Sequence, residues 1–192
     1  MKRFLVAIVI AVPLLGQETK KVDSTEAMME MYIEMARTVP EHQKLGELSG
    51  RWTMTSKLWL NPAEPPRLAS GTASGRLILG GRFLQLDSSV KGGGISADSV
   101  TILGFDRRTS DYTMIGLDTL GTYYITAAGK YDEAAKGILL DGSYAMPPTG
   151  QDQKYHFTWR TDSADEHVLL LHFDVPGGKP LLVGETTLKR AR

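Results

Sequence analysis

The chain has 192 residues, enough for one domain and short for two, and carries 22 Lys plus Arg against 22 Asp plus Glu, a formal charge of zero. That balance, with no Lys/Arg cluster on a reading helix or strand, argues against nucleic-acid binding through bulk charge. Cysteine is absent, which excludes disulfide scaffolds, thiolate metal sites, iron–sulfur clusters and cysteine nucleophiles; 42% hydrophobic residues and 20 glycines suit a turn-rich globular fold.

Met1-Lys2-Arg3 supplies a positive start, and Phe4 to Leu15 is an apolar run interrupted only by Pro13. The run has the length of a signal-peptide core and falls short of the roughly 20 residues a membrane span needs. Residues 1–16 are therefore expected to be an export signal cleaved near Gly16, which leaves a slightly acidic mature chain in the periplasm or outside the cell and no stable membrane span. No cysteine follows Leu15, so the signal is not that of a lipoprotein.

Residues 17–48 read as a helix and linker. Asp23 to Val39 has helical spacing, with Asp23 or Ser24 as cap, Glu26 in the first turn and Pro40 as the stop. Met28, Met31, Tyr32, Met35 and Ala36 form one apolar stripe, a packing face for the following domain or an adaptable docking surface.

From residue 49 to 192 the period changes to two and turn signals recur about every ten residues, the signature of an all-β sandwich or barrel. The alternation predicts strands near 50–60, 68–79, 82–90, 98–106, 111–119, 122–131, 136–146, 153–162, 166–175 and 180–190. Gly80-Gly81 reads as a two-residue hairpin turn that sets Leu77 opposite Leu84 and Ile78 opposite Phe83. Gly92-Gly93-Gly94 reads as a flexible loop, since no helix follows it to cradle a phosphate. A turn over Ser163-Ala164-Asp165 would oppose Lys154 to Asp174, His156 to His172, and Phe157 to Leu171. Strands joined mostly by hairpins favour a closed antiparallel up-and-down β-barrel of about ten strands, preceded by the short N-terminal α-helix.

The order Glu41-His42 through Gly46-Glu47-Leu48-Ser49-Gly50-Arg51-Trp52, then Gly71 to Arg76, Ile78 to Leu84, Ile102 to Asp106, Gly129 to Asp132 and Glu185 to Arg190 is similar to the bacterial family known as domain of unknown function 1579. The likeness spans residues 40–190 and implies a lipocalin-like barrel of the calycin superfamily, with an interior cavity and no assigned activity. Tyr155 to Arg160 and Leu169 to Phe173 are more apolar than the family pattern. Gly50-Arg51-Trp52 resembles the Gly-x-Trp that opens lipocalin barrels, which implies that Trp52 closes one end beneath Lys189 or Arg190.

His167 and His172 lie an odd number of residues apart in one strand and so face opposite sides, while His156, His172 and Asp174 cluster as weak metal-ligand candidates that solvated outer-face residues explain equally. Asp118 and Asp141 lack the partners that acid–base roles require, and His42 precedes the barrel as a helix-docking side chain. No Gly-x-Ser-x-Gly elbow, His-Glu-x-x-His pair, Walker loop or dinucleotide fingerprint occurs, and no cofactor is implied.

Small residues expected to face inward, Ala69, Gly71, Ala73 and Gly75 in one strand and Ala127 and Gly129 in another, predict interior space. Tyr123, Tyr144, Phe157 and Trp159 are the expected lining of a cavity that opens away from Trp52, roofed by the helix and suited to a small apolar or amphiphilic molecule such as a fatty acid. The alternatives are an enzyme using the same cavity and an interaction module docking through the Met-rich helix.

Overall fold

A computed structural model describes residues 24–146 and 150–192; the expected export signal lies outside them. Two units are distinguished, one ending at Ala36 and one running from Arg37 to Arg192. The first contains helix α1 (Ser24–Met35), which begins with Glu26 in its first turn and has no buried residue. No helix among the described residues is long and apolar enough to cross a membrane.

In the second unit Pro40 starts a helix as well as marking a stop. Its fixed φ suits the first helical position, and α2 (Pro40–Leu45) runs into a 3₁₀ turn at Gly46–Leu48. The expected single helix over Asp23–Val39 therefore ends at Met35, and the family motif that follows it is itself helical. His42 Nδ1 accepts the Val39 N–H at 3.1 Å, which satisfies one of the open donors of the α2 N-terminus.

Ten strands follow: β1 (Gly50–Leu58), β2 (Arg67–Ile78), β3 (Phe83–Gly92), β4 (Ile95–Asp106), β5 (Asp111–Asp118), β6 (Tyr124–Asp132), β7 (Gly137–Met146), β8 (Gln151–Ser163), β9 (Glu166–Phe173) and β10 (Leu181–Arg190). Each pairs antiparallel with its neighbours in sequence, and β1 pairs with β10, so the meander closes into a barrel without an edge.

Two turns exchange the roles that the glycines suggest. Leu77 and Ile78 oppose Leu84 and Phe83 as predicted, but pairing stops there and Leu79–Arg82 form a four-residue loop. The tight two-residue hairpin lies instead at Gly93-Gly94, where Gly92 pairs with Ile95 and φ values of 57° and 81° meet the demand for two left-handed positions. In the β8–β9 hairpin the predicted register holds from Tyr155 to Thr161. A shift between Thr161 and Ser163 then pairs Ser163 with Glu166, so the turn is the shorter Ala164-Asp165.

Strand alternation places Trp52, Leu84, Leu86, Leu103, Met114, Leu140, Phe157 and Leu188 inside the barrel, nearly or fully buried. Leu45 and Leu48 join them from α2 and the 3₁₀ turn, which makes one continuous core. The loops alternate between the two ends. The turns after β2, β4, β6 and β8 lie at the end plugged by residues 40–48, and those after β1, β3, β5, β7 and β9 lie at the other.

Candidate functional site at the two ends of the barrel

At the plugged end Trp52 is 1% exposed and donates its indole N–H to the Leu48 carbonyl at 2.9 Å. The Arg190 guanidinium lies 4.2 Å from the centre of that indole, in cation–π geometry. Arg190 also donates to the carbonyls of Ser49 at 3.0 Å and Ala164 at 2.8 Å, and to the Asp165 carboxylate at 2.9 Å. One side chain thus ties β10 to the β8–β9 turn and to the segment entering β1. Gly50 makes this possible, with φ +112° and a position where a Cβ would stand 2.9 Å from the guanidinium. Lys189, the other basic candidate, faces outward by strand parity and sits 3.6 Å from Glu166.

Beneath residues 40–48 lies a pocket of about 420 Å³ lined by Lys44, Leu48, Tyr131, Lys136, Trp159 and His167, among others. Trp159 belongs here, not to the cavity expected at the far end. His167 packs edge-on against Trp52 at 5.0 Å, and its Nδ1 meets the Thr161 hydroxyl at 3.2 Å. Burial holds its pKa below the usual histidine value, with the Arg190 charge adding to the effect. Trp159 Nε1 and His167 Nε2 are buried without a hydrogen-bond partner.

The far half of the barrel is different. Met54, Ile125, Tyr144, Leu169, Leu171 and Phe173 all point inward yet are only half-buried. Leu169 sits in mid-strand with β8 and β10 paired on either side of it. Its inward parity puts it on the same face as Leu171 and Phe173, so this face of β9 is less completely covered than the core around Trp52.

Aromatic rings form a continuous row along this part of the barrel, from the exposed Tyr123 to the buried Tyr155 and Phe157. Tyr123, exposed in the loop before β6, stacks on Tyr144 at 6.4 Å; Tyr144 meets Tyr155 at 6.0 Å and Phe173 at 6.4 Å; Tyr155 meets Phe157 at 5.6 Å. Tyr155 donates its hydroxyl to the Thr126 carbonyl at 2.7 Å, and burial raises its pKa and that of Tyr144. Another part of the wall is polar, with inward hydroxyl pairs Ser56–Thr186 at 2.9 Å and Ser88–Ser99 at 2.7 Å.

The structure thus brings together Tyr123, Tyr144 and Phe157 from the sequence expectation. It adds Tyr155, Leu171 and Phe173, which the alternation within β8 and β9 already marks as the same face as Phe157. The small residues do face inward, and three of the glycines have a further role. Cβ positions at Gly71, Gly75 and Gly129 would fall 1.8 Å from the Ser89 oxygen, 2.1 Å from the Leu48 oxygen and 1.9 Å from the Leu139 oxygen. These glycines admit close backbone approach, while Ala69, Ala73 and Ala127 on the same inward faces are buried.

On the outer face, His156 bridges two carboxylates, with Nδ1 2.7 Å from Asp141 and Nε2 2.8 Å from Asp174. Hydrogen bonding to Asp141 and then Asp174 raises the His156 pKa. Both ring nitrogens are occupied, His172 is the cross-strand neighbour, and no group of three or more His, Asp or Glu among the described residues has metal-holding geometry. A groove of about 830 Å³ also lies outside the barrel, over outward-facing Arg51, Thr53, Thr72, Ser74, Asp98 and Leu117 of β1, β2, β4 and β5. It contains none of the expected cavity residues.

A ten-strand antiparallel up-and-down barrel with a helical segment packed over a Gly-x-Trp motif at one end defines the class of this protein. The chain belongs to the protein family of unknown function DUF1579, whose model matches residues 37–190. Among solved structures it is similar to Rv2717c from M. tuberculosis, at 17% identity and TM-score 0.57 over 81% of this chain and all of the other. It is also similar to the S-type phycobiliprotein lyase CPES from Guillardia theta, at 10% identity and TM-score 0.52 over 84% of this chain and 97% of the other. At these identities the likeness is one of fold. No curated protein matches the sequence.

Proposed function

We propose that the protein is an exported, lipocalin-like binding barrel that takes a small amphiphilic molecule, such as a fatty acid, through its open end. The observation that carries this reading is the row of inward-facing apolar side chains Tyr144, Leu169, Leu171 and Phe173, which the barrel leaves only half-buried. An apolar wall of Tyr144, Phe157, Leu171 and Phe173 would hold a chain, and the Ser56–Thr186 and Ser88–Ser99 hydroxyls would face a polar group. The barrel fold shared with a protein named as a phycobiliprotein lyase supports a ligand-handling frame at the level of architecture.

Thermal unfolding in the presence of laurate tests the proposal. Ligand at a hundredfold excess over Kd stabilises the folded state by about 2.7 kcal/mol, so the midpoint should rise by several degrees. Leu171→Trp, which fills the cavity, should abolish the rise while leaving the far-ultraviolet circular dichroism unchanged. An unaltered midpoint for the native barrel across laurate, palmitate and a neutral monoglyceride would overturn the reading. Export is tested by intact mass of protein recovered from the periplasm: residues 1–16 should be missing, and a chain that keeps Met1 to Leu15 would reject it.

A further inference from the structure

Two of the largest buried polar side chains in the barrel share one space and leave it unsatisfied. Trp159 and His167 are 3% and 1% exposed, and their Nε1 and Nε2 atoms have no hydrogen-bond partner. Both side chains line the 420 Å³ pocket at the plugged end. An indole N–H buried without an acceptor costs about 1–3 kcal/mol, a penalty a folded protein ordinarily removes. The Glu47 carbonyl lies near His167 and opposes the fall in its pKa, but Nε2 completes no hydrogen bond to it.

The chemistry of the pocket is directional. Its deep end offers Trp159 Nε1, which can only donate, and a largely neutral His167 that can donate from Nε2 while Nδ1 faces the Thr161 hydroxyl. The Arg190 guanidinium beside Trp52 adds to the lowering of the His167 pKa and is itself paired with the Asp165 carboxylate at 2.9 Å. The walls are flat and apolar: Tyr131, Trp159, Ile138, Leu45 and Leu48. At the mouth stand Lys136, Glu133, Glu47 and Lys44, the last held 3.5 Å above the Tyr131 ring. A space of this size lies within the range of small-molecule pockets and greatly exceeds the roughly 30 Å³ of one water.

We infer that the plugged end is a second binding site, separate from the open cavity, for a small planar molecule that leads with an oxygen acceptor. The oxygen accepts from Trp159 Nε1–H and His167 Nε2–H, and the ring lies against Tyr131 and Leu48. A carboxylate and a neutral carbonyl share this chemistry, and Lys136 at the mouth separates them.

The test uses the indole N–H resonances of the ¹⁵N-labelled mature protein, which has three tryptophans, Trp52, Trp59 and Trp159. Benzoate and benzamide are the probes, with aniline as the flat control lacking the oxygen. A saturable shift of the Trp159 resonance by either acid derivative, with Trp59 unmoved and aniline at least tenfold weaker, is the expected result. Trp159→Phe keeps the ring and removes the donor, and should weaken the probe about tenfold or more by whole-protein calorimetry. The exposed-rim variant Lys136→Ala, which leaves the core untouched, should weaken benzoate and spare benzamide if the site prefers an anion, and spare both if it prefers a neutral carbonyl. Leu171→Trp should leave probe binding intact, so failure of the open-cavity reading and failure of this one are distinguishable. No movement of Trp159 with either probe into the millimolar range would overturn the inference. So would aniline binding as tightly as benzamide, or a Trp159 resonance that reports only bound water.

Discussion

The two halves of the barrel interior are built from the same ladder yet bury their large inward-facing aliphatic side chains to different depths. At the plugged end, residues 40–48 drop Leu45 and Leu48 onto Trp52, Leu84, Leu103 and Leu188, and all six are 3% exposed or less. Met54, Ile125, Leu169, Leu171 and Phe173 have the same inward parity, lie away from residues 40–48 and stay half-buried. Strand pairing closes the cylinder, whereas the added helical segment decides which part of it becomes core. A leucine can thus occupy equivalent positions in the sheet and contribute very different amounts of stability.

The largest effect should come from removing the centre of the plug. Trp52→Ala deletes a fully buried indole, its hydrogen bond to Leu48 and the surface on which Arg190 rests, and should cost about 3–5 kcal/mol in denaturant unfolding. A loss below about 1 kcal/mol would show that the plugged end does not depend on this residue.

A matched pair sharpens the comparison itself. Leu140 and Leu171 both flank Phe157, one on each side, and both point inward. Leu140 is 0% exposed, so Leu140→Ala should cost about 2–5 kcal/mol through lost transfer energy and the void it leaves. Leu171 is only partly buried, and Leu171→Ala should cost less, about 1 kcal/mol. Equal losses from the two variants would mean that the far half is packed as tightly as the plug.

Much of this contrast was legible in the chain and part was not, for identifiable reasons. Strand alternation and turn chemistry are local, so the ten strands, the Leu77–Leu84 pairing and the His156–His172 register follow from the sequence alone. The plug is a tertiary event: nothing local in Pro40–Leu48 says that its leucines enter the barrel, and Pro40 signals a stop and a start equally well. His167 carried a readable signal, being the one polar residue on the inward face that also holds Leu169, Leu171 and Phe173 in β9. Asp141 was hidden differently. Its partner His156 comes from β8, and the β7–β8 register that sets them opposite depends on where the intervening loop begins.

The smallest expected effect separates the two kinds of histidine by pH. Burial lowers the pKa of His42 and His167 at the plug and of His172 on the outer face, where the His156 charge adds to the effect, so the unfolded chain binds their protons more readily than the folded one. Their contribution to stability is complete above the unfolded value of about 6.5 and is lost as pH falls through it toward the lower folded pKa. His156 on the outer face behaves in the opposite sense. Its pKa is raised by Asp141 and Asp174, so its stabilisation is complete below about 6.5 and disappears as pH rises through the higher folded value. The His156 side chain is 36% exposed and Asp141 75%, so solvent screening limits this bridge to less than about 1 kcal/mol. Unfolding free energies measured from pH 5 to 8 should therefore fall on the acid side for the native protein. His156→Asn should steepen that fall, because it removes the one histidine gain that acid supplies, and should leave the stability at pH 8 almost unchanged. A variant that instead loses most stability at pH 8 would place His156 with His42, His167 and His172, and its opposite response to acid would not hold.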